Sequence, residues 1–136
     1  MTTTQLLDIL KSNQDISFED LLKEIPDLTF VNFLESICFN KSITKSELIK
    51  KTTLDRTYAY QIINGTKQPS QDKVIQLSLA LNLNLHDTNI LLTLSQNKSL
   101  YPKIKRDALI ILCINKQYSV MKTNELLDEY GFEILN

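Results

Sequence analysis

A chain of 136 residues, 43% of them hydrophobic, can bury one good core and a small satellite bundle. Two glycines and three prolines favour helices with short joints. The net charge of −1 gives no immediate sign of a polyanionic partner. A single histidine, no glycine-rich phosphate loop and no metal-ligand spacing leave no enzyme, metal or cofactor to expect. No apolar run is long enough for a membrane, and the polar start MTTTQ is not a secretory leader, so a cytoplasmic chain is expected. Cys38 and Cys113, each inside an apolar helical pattern, read as small buried hydrophobes.

Residues 4–11 (TQLLDILK) and 16–25 (ISFEDLLKEI) read as two short amphipathic helices. Ser17 can cap the second, Asp20 stands three residues on, and Pro26 ends it. With residues up to 27 they form an acidic segment whose carboxylates either face solvent or lie against a basic surface. From Leu28 to Asn40, Phe30, Val31, Phe33, Leu34, Ile37 and Cys38 make a wide apolar stripe at helical spacing.

Thr44 to Pro69 (TKSELIKKTTLDRTYAYQIINGTKQP) reads as two short helices joined by a tight corner. Thr44 and Glu47 have the spacing of a capping box, and Asp55 restarts the chain as a second cap. In the first helix Leu48, Thr52 and Leu54 face inward while Lys45, Lys50 and Lys51 face water. In the second, Ala59, Ile62 and either Tyr58 or Ile63 share one side; Arg56, Thr57, Tyr60, Gln61 and Asn64 share the other. Asn64-Gly65 supplies a left-handed C-terminal cap. A helix presenting Arg, Thr and Gln to solvent has the chemistry to read base edges in a major groove.

The residues ITKSELIKKTTLDRTYAYQIINGTKQPS, followed by DKVIQLSLALNLN, resemble the Xre family of helix-turn-helix regulators, the group of phage repressors and Cro. The resemblance runs from about Thr29 to Ser95, roughly half the chain. It implies an all-α, five-helix, repressor-like helix-turn-helix DNA-binding domain over residues 28–96, in a bacterium or its phage. Two departures stand out. Ile49 occupies a position normally Ala or Gly, and Ala59 one normally Ile or Val, which together make a volume-conserving exchange across one contact. Thr53 replaces the corner glycine and must accept an awkward backbone or widen the turn.

Beyond the pair, Ser70 can cap a helix over SQDKVIQLSLAL, with Val74, Leu77, Leu79 and Leu81 on its buried side. Its N-terminus is expected at the surface beside the reading helix, where free N–H groups, Ser70 and Gln71 can hold a phosphate. His86-Asp87 to Ser95 is a further helix with His86 at the surface. NKSLYPK (residues 97–103) is the clearest joint, and residues 97–136 form a C-terminal helical extension. Its first helix, KRDALIILCIN (residues 105–115), is apolar all round, so it belongs at the centre of the protein or at a subunit interface. Xre-like chains share the LYPK-x-x-RDA element followed by a short helical pair, which implies that the extension is integral. Residues 119–130 make the last helix, followed by the apolar tail FEIL.

Charge separates along this order. Residues 1–40 carry seven acidic and two basic side chains, whereas residues 41–73 carry seven basic (Lys41, Lys45, Lys50, Lys51, Arg56, Lys67, Lys73) and three acidic ones. The surplus of positive charge lies on the central pair, as a phosphate-binding surface requires. The expected function is therefore a sequence-specific DNA-binding regulator, in which Arg56, Thr57, Tyr60 and Gln61 face the bases. Thr44, Lys45, Asn64, Lys67 and Ser70 position the phosphates. Its partners are double-stranded DNA, a second copy in a homodimer and a regulatory protein, with no membrane. The competing expectation is a protein-interaction module (antitoxin, adaptor or anti-repressor) that keeps the frame but binds another protein.

Overall fold

The computed structural model describes residues 3–12 and 15–136. Nine helices run through them: α1 Thr3–Ser12, α2 Phe18–Glu24, α3 Phe30–Asn40, α4 Lys45–Lys50, α5 Arg56–Ile63, α6 Gln71–Ala80, α7 Leu85–Leu94, α8 Lys105–Asn115 and α9 Val120–Glu129. No strand occurs among the described residues, so the all-α architecture holds. Residues 1, 2, 13 and 14 of the expected acidic segment lie outside the described residues.

Side-chain caps set most of the helix starts. Ser17, Thr29, Thr44, Asp55, Asn84 and Ser119 each accept the N–H three residues on, which satisfies one of the free donors of the first turn. This moves two boundaries from their expected places. Thr29 takes the Asn32 N–H at 3.1 Å, so α3 begins at Phe30 rather than Leu28. Asn84 takes the Asp87 N–H at 2.8 Å, so α7 begins at Leu85, before His86.

The helix ends share one device. Ser42, Gly65, Asn82, Gln96, Gln117 and Gly131 all lie at positive φ just past a helix. At five of them the following N–H returns five residues to close the end: Ile43 to Cys38, Leu83 to Ser78, Asn97 to Leu92, Tyr118 to Cys113 and Phe132 to Leu127. Two of these joints repeat one another in sequence. CFNKSIT (residues 38–44) joins α3 to α4 and CINKQYS (residues 113–119) joins α8 to α9. In each, a buried cysteine gives its carbonyl to the returning N–H, and a Thr or Ser caps the next helix.

The centre of the core is α6. Every residue from Val74 to Leu81 is buried, including Gln76 and Ser78, and α6 packs against α4, α7 and α9. The sequence pattern pointed to residues 105–115 for this place or for an interface. In the structure Ile110, Cys113 and Ile114 of α8 are buried, but Ile104 and Leu112 are about half exposed, at 52% and 50%. The central helix thus buries two polar side chains, and α8 leaves Leu112 exposed.

One core cluster runs from Phe30 to Leu135, drawing on α3 to α9 and the C-terminal tail. Among the described residues none of α1 or α2 belongs to it, α2 has no buried residue, and Phe18 is 84% exposed. The tail turns back onto α6, where Leu135 is buried. Arg106 holds this return: it pairs with Asp72 through two parallel bonds of 3.2 and 3.1 Å and donates to the Glu133 carbonyl at 3.0 Å.

Candidate nucleic-acid interface

The α4–α5 pair sits on the core through Leu48, Ile49, Ala59, Ile62 and Ile63, all buried. Ile49 and Ala59 are 5% and 0% exposed, so the large residue on α4 and the small one on α5 are both accommodated. Of the two alternatives on α5, Ile63 is the buried one. Tyr58 is half-buried, with the Lys73 ammonium 5.4 Å from its ring centre.

The corner does without the awkward backbone that was one of the two expected consequences of the missing glycine. Thr53 is not among the residues at positive φ. Instead Gln76, wholly buried in α6, accepts both the Thr53 N–H at 2.9 Å and the Thr53 hydroxyl at 3.1 Å on one side-chain oxygen. The corner backbone is tied to the core by a side chain from another helix. At the far end of α5, Gly65 takes the left-handed conformation at φ +84°, and a Cβ there would lie 2.9 Å from Val31 Cγ2. Both the backbone and the close approach require glycine.

On the outer side of α5, Arg56 and Thr57 are exposed and Tyr60 and Gln61 are half-exposed. Arg56 lies over Tyr60, its guanidinium carbon 5.3 Å from the ring centre and Nη2 3.4 Å from the phenol oxygen. The four expected base-reading residues are thereby brought to one helix face. That face includes one ordered cation held by its neighbour four residues on.

The expected phosphate residues are more committed than their spacing suggested. Thr44 accepts the Glu47 N–H and donates its hydroxyl to Glu47 Oε1, each at 3.1 Å. The carboxylate of the expected capping box therefore takes the cap hydroxyl, which is spent within the helix. Lys45 Nζ donates to Asn64 Oδ1 at 2.9 Å, joining the start of α4 to the end of α5. That bond leaves two ammonium protons of Lys45 and the amide nitrogen of Asn64 for another acceptor. Lys67 is exposed, with its N–H on the Gln61 carbonyl at 3.1 Å. Ser70 stands at the cap position of α6 but makes no side-chain cap bond. Gln71 donates to the Lys98 carbonyl at 2.8 Å, and the acid of that first turn, Asp72, is occupied by Arg106.

Elsewhere the chemistry is sparse. Cys38 and Cys113 are free, and burial pushes both thiols above their ordinary value. Among the described residues no group of His, Cys, Asp and Glu is placed to hold a metal ion, and no helix is long and apolar enough to cross a membrane. Comparison with family models, with curated proteins and with solved structures gives no match. The residue that spacing alone missed is Gln76. Its polarity inside an apolar helix was the one available signal, since a buried amide needs partners.

Proposed function

We propose that this chain is a sequence-specific DNA-binding regulator, with α3 to α7 forming a repressor-like helix-turn-helix domain and α5 entering the major groove. The observation that carries this is the division of α5. Ala59, Ile62 and Ile63 are buried, while Arg56, Thr57, Tyr60 and Gln61 lie together on the outer side. Arg and Gln can each make two parallel bonds to a base edge, and the threonine methyl suits a thymine methyl. Lys45, Asn64, Lys67 and Ser70 are the phosphate contacts of this reading, and residues 41–73 carry a surplus of basic side chains. Regulators of this size read two-fold sites as homodimers. The half-exposed Ile104, at the cap of α8, and Leu112 within it are the candidate dimer surface.

The test is selection of genomic fragments by the purified chain at roughly 150 mM salt, where non-specific binding is weak, followed by titration of the recovered site. Enrichment of one short inverted repeat is expected. Arg56→Ala combined with Gln61→Ala should then cost roughly a hundredfold or more in affinity. No enrichment by folded protein, or unchanged binding by the double variant, overturns the proposal.

A second reading, a protein-interaction module, draws on α1 and α2. Their acidic segment shows Phe18 and Leu22 at 84% and 71% exposure, an apolar and acidic surface with no counterpart in the core. On that reading the Arg56 and Gln61 changes leave biological activity intact, and Phe18→Ala with Leu22→Ala abolishes it.

A further inference from the structure

The C-terminal tail reaches the corner of the α4–α5 pair through one buried side chain. Gln76 Oε1 accepts the Thr53 N–H and hydroxyl at 2.9 and 3.1 Å, and Gln76 Nε2 donates to the Leu135 carbonyl at 3.3 Å. The amide has only this orientation open to it. The Thr53 N–H can only donate and the Leu135 carbonyl can only accept, so a flipped side chain would face a donor with a donor. Gln76 is wholly buried, so an unmet partner on either side carries the full cost of a desolvated polar group.

The tail end of this relay is itself held on three sides. Leu135 N–H donates to Asn124 Oδ1 at 2.8 Å, Asn136 N–H donates to Asp72 Oδ2 at 3.3 Å, and Arg106 joins Asp72 to the Glu133 carbonyl. The Leu135 side chain is buried beside them. Thus α8, α9 and the tail together fix one carbonyl, that carbonyl orients Gln76, and Gln76 fixes the backbone between α4 and α5. Locally the Thr52 hydroxyl donates to the Ile49 carbonyl at 2.7 Å and accepts the Leu54 N–H at 3.3 Å, which closes the corner on itself; Gln76 is what ties it to the core.

We propose that the C-terminal tail, acting through Gln76, is a positioning element for the α4–α5 pair and sets how tightly that pair holds double-stranded DNA. Gln76 touches no nucleic acid; it acts through Thr53. The claim about DNA rests on the function proposed above, whereas the claim about the corner does not.

Two measurements separate them. Amide hydrogen exchange at Thr53 is followed in the full chain, in a chain lacking residues 135 and 136, and in Gln76→Met, which keeps the volume and loses both sets of bonds. Thr53 exchange should rise roughly tenfold in both variants, with the Leu34 amide of α3 unchanged. Titration on the DNA site selected by the full chain should show affinity falling roughly fivefold to tenfold, with the same sequence preferred. Should the shortened chain fail to fold, Asn124→Ala, which removes the bond holding the Leu135 N–H, takes its place, and the corner end of the relay is tested by Thr53→Val against Thr53→Ser. The first loses the hydroxyl bond and weakens binding; the second keeps it and restores binding. Unchanged Thr53 exchange in the folded variants overturns the relay. Faster exchange with undiminished affinity overturns its role in binding. If the full chain selects no DNA at all, the function proposed above falls, and Thr53 exchange alone decides whether the tail holds the corner.

Discussion

The two pairs of short helices, α1–α2 and α4–α5, begin from similar local instructions and end differently. Helices of six to ten residues do not persist alone in water, so each pair needs something outside itself. Both have good starts: Ser17 caps α2, Thr44 caps α4 and Asp55 caps α5, each through a bond of 3.1 Å. Both carry large apolar residues. Yet α4 and α5 bury Leu48, Ile49, Ala59, Ile62 and Ile63, while α2 buries nothing despite Phe18, Leu21 and Leu22. Caps and periodicity decide where a helix begins and which side is apolar. Whether that side is covered depends on distant residues, here α6 beneath α4 and Gln76 beneath the corner. Charge sharpens the contrast, since the uncovered pair lies in the acidic stretch and the covered pair in the basic one.

Core truncation should break the comparison most visibly. Ile62→Ala, at a side chain with no exposure, is expected to cost about 2–5 kcal/mol of global stability. Leu22→Ala, at 71% exposure, should stay within about 0.5 kcal/mol. Urea midpoints measure both. A cost for Leu22→Ala comparable to that for Ile62→Ala would mean that α2 has a packed partner in solution.

The two glycines sharpen the same point at smaller scale. Gly65 and Gly131 have nearly equal backbones, φ +84° and +78°, but a Cβ at Gly65 meets Val31 Cγ2 whereas one at Gly131 meets nothing within 4 Å. Gly131→Ala should therefore lose only the left-handed term, about 1–2 kcal/mol. Gly65→Ala should lose at least about 1 kcal/mol more, because α3 must give way. Equal losses in thermal unfolding would show that the Val31 methyl moves aside without cost.

Much of the helical layout was legible because its signals are local. The spacing of α8 and the stripe on α3 match the structure, and the caps at Ser17, Thr44 and Asp55 form. What was not legible depends on distance in sequence. Gln76 and Ser78 interrupt the apolar pattern of α6, so α8 looked like the more central helix. Ser78 is satisfied within its own helix by the Val74 carbonyl at 2.9 Å, but Gln76 is satisfied only by residues 23 and 59 positions away. The candidate site divides in the same manner. The membership of the α5 outer face follows from period 3.6, whereas the Lys45–Asn64 bridge, the Gln71–Lys98 bond and the Arg106–Asp72 pair follow from tertiary approach. The repeated joint, CFNKSIT and CINKQYS, was open to a search for internal similarity, although its returning N–H bond is shared with three helix ends of different sequence.

The smallest effect gives the finest comparison. Asp55→Ala and Ser17→Ala each delete one cap bond of 3.1 Å, to Tyr58 and to Asp20. A lost N-cap costs a helix about 1 kcal/mol in either case. Because α5 is joined to the core by Ala59, Ile62 and Ile63, it cannot melt without exposing them. The Asp55 loss should therefore appear in global unfolding. Because α2 buries nothing, it can unfold while the core stays intact, and the Ser17 loss should leave the urea midpoint unmoved. It should appear instead as faster amide exchange confined to residues 20–24. A midpoint shift for Ser17→Ala equal to that for Asp55→Ala would show that α2 unfolds with the core, and the two helix pairs would then differ in exposure but not in cooperativity.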